Sequence, residues 1–144
     1  MGPVLMVGID GSECGNRAVD YAFVQAKKSA AKLYVVFIIE WSPFTFSTAL
    51  ENAERHQRRE EEIQRALSDV IEPVIDRLTA EGLDVEGVVR HGHVADTLAA
   101  LAKSKGVDNL ILGRQGTSKL KSHVFGSVGS RLVQSAECPV TVVP

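Results

Sequence analysis

Two clusters of residues in this chain have the types and spacing to do chemistry. The first is Gly113-Arg114-Gln115-Gly116, followed after nine residues by Gly126-Ser127. Glycine lets a ligand approach the backbone with no Cβ in the way. Free N–H groups at a helix start, with the dipole behind them, favour anions, and a serine hydroxyl there adds a donor. Arg114, Lys119, Lys121 and His123 make this stretch positive in a chain of formal net charge −2. Glycines, donors and local positive charge together suggest a phosphate cradle. The second cluster is Asp10-Gly11-Ser12, a carboxylate in a turn. Taken singly, each residue has a plainer reading, because Asp-Gly is common in turns and serine caps helices. A ligand role requires the fold to bring the two clusters together.

Other candidates are weaker. His91-x-His93 lacks a cysteine or carboxylate partner at metal-ligand spacing, and both histidines read as surface residues. Cys14 falls near a helix start, where a thiol can be activated, but it reads as passive. No serine or cysteine sits in a recognised catalytic context, so no catalytic residue and no metal ligand is assigned. Trp41, Phe44 and Phe46 read equally as a flap over a ligand or as core or interface. Two familiar nucleotide motifs are absent: there is no Gly-x4-Gly-Lys-Ser/Thr, and no Gly-x-Gly-x-x-Gly follows the first strand.

The elements that must position these residues follow from periodicity. Residues 4–9 form an apolar run that stops at the Asp10 turn, which predicts a buried strand. Ala18, Val19, Ala22, Phe23 and Ala26 then recur at helical spacing, with Ser12 as N-cap and an end near Ala31. Residues 33–39 predict the second strand. A long helical stretch from about 48 to 81 is dense in mixed charge over 51–65 and reads as a solvated face. Pro73 should kink or divide it, and Gly82 should cap its end. Residues 85–90 predict strand three, 94–105 a helix stopped by Gly106, and 109–112 strand four. A helix is expected to open at Gly126-Ser127 and run to about Ala136, before a last strand over 140–143.

Strands that read as continuous apolar runs, alternating with helices, indicate one α/β domain over residues 1–144. It would be a doubly wound, five-stranded parallel sheet with helices on both faces. Right-handed crossovers leave two main strand orders, 3-2-1-4-5 and 2-1-3-4-5. In the first, the order reverses between strands one and four, and the two clusters would face each other across that crevice.

Length and composition agree. The chain has 144 residues, 44% hydrophobic and 24% charged, which suits one ordinary globular domain. Lys plus Arg number 16 against 18 Asp plus Glu, a balance that argues against nucleic acid as a partner. The longest apolar stretches are too short to cross a membrane. Two distant cysteines read as reduced thiols, and the expected setting is the cytoplasm. Residues 139–144 carry no charge. As a sheet edge they would be unprotected, so a homodimer through Val140–Val143 is expected.

The pattern Gly113-x2-Gly116-x9-Gly126-Ser127 resembles the ATP-binding motif of the universal stress protein family. The likeness extends to Val7-Gly8-Ile9-Asp10-Gly11-Ser12, to the Gly92 segment and to the terminal Cys138-Pro139-Val140-Thr141-Val142-Val143. The resemblance implies strand order 3-2-1-4-5, the fold of the adenine nucleotide alpha-hydrolase-like group, a homodimer, and in one branch bound ATP. It puts Asp10 and Gly11 near the ribose, the phosphates or a divalent ion such as Mg2+. Ile38 would pack beside adenine. Leu112 and Gly113 would line the base and ribose side. Gln115 and Gly116 would approach the ribose and phosphates, and Gly126, Ser127 and Val128 would bind phosphates. Gly129 stands where ATP-binding members often carry Ser or Thr, which leaves ATP, ADP and AMP all open as the ligand.

The function so implied is an ATP-binding stress-response module that acts on a regulatory protein partner the sequence does not name. The alternatives are a slow ATPase using Asp10 and a divalent ion, or a nucleotide-free dimerisation module. On the cradle reading, Gly113→Val or Gly126→Val should abolish binding and leave the fold intact.

Overall fold

The computed structural model describes residues 2–40, 49–114 and 121–144, with the side chains of 49–52 and 121–127 excepted. Five strands, β1 (Val4–Ile9), β2 (Lys32–Glu40), β3 (Asp84–Gly92), β4 (Asn109–Gly113) and β5 (Val140–Val143), alternate with helices. All strand pairs are parallel, in the order β3-β2-β1-β4-β5. Of the two orders open from periodicity, this is the one with its reversal between β1 and β4.

Helix α1 (Glu13–Ser29) starts as its sequence dictates: the Ser12 hydroxyl accepts the Gly15 N–H at 3.0 Å. It stops one residue before Ala30, whose φ of 52° is left-handed. Helices α2 (Ala49–Ala66) and α3 (Glu72–Ala80) are joined by a π-helical turn, Leu67–Ile71. The Glu72 N–H reaches back five residues to the Leu67 carbonyl. Pro73 follows at once, so the stretch is divided where its missing N–H predicts. Gly87 of β3 lies under this turn; a Cβ there would collide with Ile71. Helix α4 (Val94–Ser104) stops before Gly106, whose φ is 63°.

The sheet separates two cores. On one face, Val19, Ala22 and Ala26 of α1 pack with Ile71 and Leu78 over Val7, Val35 and Ile111. On the other, Leu98 of α4 and Leu132 of α5 (Lys121–Ser135) cover Met6, Val36 and Leu110. Helices thus lie on both faces, as the continuous apolar strands required. Among the described residues, no helix is long and apolar enough to cross a membrane.

One expectation fails. Helix α5 begins at Lys121, not at Gly126. Gly126 and Ser127 therefore lie in its second turn, where an α-helix uses the N–H groups for its own hydrogen bonds.

Candidate functional site

The reversal in strand order places the ends of β1 and β4 side by side, with Gly8 of β1 in register with Leu112. Asp10 leaves β1 and folds back on itself. Its Oδ1 accepts the Ser12 N–H at 3.0 Å, the geometry of an Asx turn. Gly11 between them has a φ of +84°, which only glycine adopts at little cost, and a Cβ there would meet nothing within 4 Å. The turn is therefore shaped by Asp10 and Gly11 together, and it borders open space.

Gly113 is different. A Cβ on it would lie 2.7 Å from the carbonyl carbon and oxygen of Cys14. The first turn of α1 is thus pressed against the end of β4 and stands against both clusters: the Gly15 Cβ position is 3.3 Å from Asp10 Oδ1. Packing alone requires glycine at 113. Cys14 is 5% exposed; Arg17 donates from Nη2 to its Sγ at 3.2 Å and from Nε to the Pro144 carbonyl at 3.0 Å.

Ile38 (9% exposed) and Leu112 (6%) join the same core beneath α4 and α5, and Val128 of α5 packs against it. Three strands and one helix so bring Asp10, Gly11, Ile38, Leu112, Gly113 and Val128 to one end of the sheet. Gln115 and Gly116 lie outside the described residues, as do Trp41, Phe44 and Phe46. Gly129 is buried and Ser130 exposed on α5.

A cavity of about 290 Å³ opens at this same end, over β2 and β3. Its walls are Glu40 and Gly92 at the strand ends, His93, Val94 and Ala95 at the start of α4, and Val128 and Arg131 of α5. Of the residues expected from sequence that the structure describes, Val128 alone lines it. Glu40, His93 and Arg131 were not singled out as ligand-binding residues. Glu40 carried a usable signal, since it stands two residues beyond Ile38 and so on the same face of β2.

Asp96, in the first turn of α4, organises the basic walls. Arg131 gives it two hydrogen bonds, Nε to Oδ1 at 3.0 Å and Nη2 to Oδ2 at 3.2 Å. His93 Nδ1 stands 3.9 Å from Asp96 Oδ2. His91 faces the other way and is no surface residue: its side chain is 9% exposed, and Nε2 pairs with Glu62 Oε2 of α2 at 3.0 Å. Strand alternation explains the split, because Val89 and His91 share the face beneath α2 and α3. Among the described residues, no group of three or more His, Cys, Asp or Glu could hold a metal ion alone. Asp10 offers a single carboxylate, which is what a magnesium ion held mainly by water and phosphate oxygens requires.

Comparisons with known proteins agree with this architecture. The model of the Universal stress protein family matches residues 3–144. The universal stress protein YxiE of Bacillus subtilis is 29% identical over 143 residues, covering 96% of this chain and 97% of the relative. Among solved structures, the hypothetical protein MJ0577 superposes with a TM-score of 0.80 at 20% identity, over 98% of this chain and 94% of that one. A universal stress protein in complex with cAMP superposes with a TM-score of 0.65 at 26% identity, over 99% and 97%.

Proposed function

The chain belongs to the universal stress protein family, and we propose that it is a regulatory module that binds an adenine nucleotide, ATP in the first place, along the carboxyl edge of its sheet. The observation that carries this reading is the turn at Asp10 and Gly11, bordering open space beside the switch point. Ligands of open α/β sheets bind at such switch points. The cAMP complex of a relative with the same fold supports the ligand class.

In this reading, adenine sits over the end of β2 outward of Ile38, the ribose passes toward Leu112 and Gly113, and the phosphates run past Asp10 and Gly11 toward the start of α5. A divalent ion would be held by Asp10 and phosphate oxygens. With one carboxylate and no assigned general base, any hydrolysis is slow. The module works in the cytoplasm, a setting that its two free cysteines fit. It pairs with a second copy through the edge strand β5, and it passes the nucleotide signal to a regulatory protein.

Two observations favour a second reading, a nucleotide-free dimerisation module. Gly113 is explained by Cys14 without a ligand, and Gly126 lies within α5.

Denaturing the purified protein and chromatographing the supernatant separates the two readings. Released adenine nucleotide, or micromolar binding of ATP with Mg2+ by calorimetry, supports the first. A protein that releases none and binds none is the second.

A further inference from the structure

We propose that Glu40 selects the base of the bound nucleotide, its carboxylate accepting a hydrogen bond from a 6-amino group in the cavity above β2 and β3. This inference rests on the nucleotide reading above and names what that reading leaves open, the group that tells one purine from another.

The placement follows from alternation. Ile38 and Glu40 lie on the same face of β2, and Ile38 belongs to the core beneath α4 and α5. A base packed beside Ile38 therefore has Glu40 as the next side chain outward. In register with Glu40 stands Gly92 of β3. Gly92 lines the cavity beside Glu40 and brings no side chain into it. At about 290 Å³ the cavity falls at the lower end of small-molecule sites. It is sized for a base rather than a whole nucleotide, so the sugar and phosphates extend along the sheet edge toward Asp10.

The cavity's polarity identifies the base edge. Among the described residues, three side chains with polar heads line it: Glu40, His93 and Arg131. Arg131 is bonded twice to Asp96, and the His93 ring stands near the same carboxylate. Among the described side chains that line the cavity, Glu40 is the one carboxylate. Val94 and Ala95 line the same cavity as the first two residues of α4, whose N–H groups have no partner within the helix, and the N-cap residue His93 makes no side-chain capping bond. An acceptor next to a donor complements the edge of a 6-aminopurine, which presents N6–H beside the N1 lone pair. A 6-oxopurine presents the reverse, an oxygen beside N1–H. Its O6 would meet the Glu40 carboxylate, acceptor against acceptor. A site built around a ligand's hydrogen-bonding group rejects the analogue lacking it far more strongly than a purely apolar pocket can.

The test is calorimetric titration of the whole chain with ATP, inosine triphosphate and 2′-deoxy-ATP, on the wild type and on Glu40→Gln. Glutamine keeps the shape but can turn a donor toward O6. The wild type is expected to prefer ATP over inosine triphosphate by about 10-fold or more, and the variant to bring the two within about threefold. Deoxy-ATP should follow ATP in both proteins. Unchanged melting temperature shows that the exposed substitution leaves the fold alone. The inference is overturned if the wild type binds ATP and inosine triphosphate alike, or if the variant keeps the wild-type ratio. It is also overturned if the substitution alters only the ATP to deoxy-ATP ratio, since Glu40 would then read the sugar. Failure of the wild type to bind any of the three overturns the parent reading as well.

Discussion

The end of β4 and the first turn of α1 touch without an intervening side chain: a methyl group on Gly113 would sit 2.7 Å from the backbone carbonyl of Cys14. Real Cβ contacts are never that short, so the helix or the strand would have to move. Gly113→Val cannot then serve as a clean test of binding, as the sequence alone suggested. Gly113→Ala should cost about 1–3 kcal/mol, seen as a lower melting temperature by roughly 3 °C for each kcal/mol at this chain length. A variant that melts with the wild type would show that the two elements are not packed this closely.

Asp10 does two jobs that a substitution can separate. Its Oδ1 holds the turn through the Ser12 N–H, and on the nucleotide reading its charge acts on the phosphates through a divalent ion. Asp10→Asn keeps the acceptor and removes the charge. Stability should stay within about 0.5 kcal/mol, while affinity for ATP with Mg2+ falls about 10-fold and affinity for AMP changes little. Equal losses for ATP and AMP would place the carboxylate elsewhere.

The exposed side of β5 can be blocked without harming the sheet. The Leu110 N–H bonds the Pro139 carbonyl, and the Arg114 N–H bonds the Val143 carbonyl. Odd-numbered residues therefore face β4, and the N–H of Val142 points away from it. Val142→Pro removes an outward donor, which an edge strand tolerates. Sedimentation should show a dimer for the wild type and a monomer for the variant, both with the same circular dichroism. A wild type that sediments as a monomer at micromolar concentration ends the edge-pairing proposal.

Cys138 should be a slow thiol. Burial raises its pKa above the ordinary thiol value, Asp108 raises it further, and the hydrogen bond with the Leu110 backbone opposes both. Its alkylation by iodoacetamide at pH 7 should lag behind that of a free cysteine and accelerate only in alkaline buffer. The same shift makes a small stability term that is full below the unfolded thiol's pKa. That term is lost as pH rises through the folded value, because the unfolded chain ionises first. Labelling of Cys138 as fast as a model peptide at neutral pH would contradict this.

How much of this could be read from residues alone depends on the range of the interaction. Ser12, Pro73, Gly82 and Gly106 act within a turn or two, and each marks its boundary in the structure. The parallel sheet is legible because residues 35–39 and 110–112 are continuous apolar runs, which a strand covered on both faces favours. Strand order needed more than periodicity, since runs of apolar residues do not say which neighbour they pair with. Three features escaped. The start of α5 was set at Gly126 because Gly-Ser resembles a cap, whereas the helix takes in Lys121 and the residues between. The reason for Gly113 lies in Cys14, far along the chain and invisible to local reasoning. Glu40 lies just beyond the run 33–39 that predicts strand two, and its partner across the register, Gly92, is contributed by another strand.

The π turn between α2 and α3 gives the long helix a spare residue. Such a turn holds one more residue than an α turn spans, so removing one within Leu67–Ile71 closes it to ordinary pitch and leaves the faces on either side in phase. The same deletion inside α1 would swing Ala22 and Ala26 away from the sheet by about a quarter turn. Length variation among relatives should accordingly collect at this point of the helix.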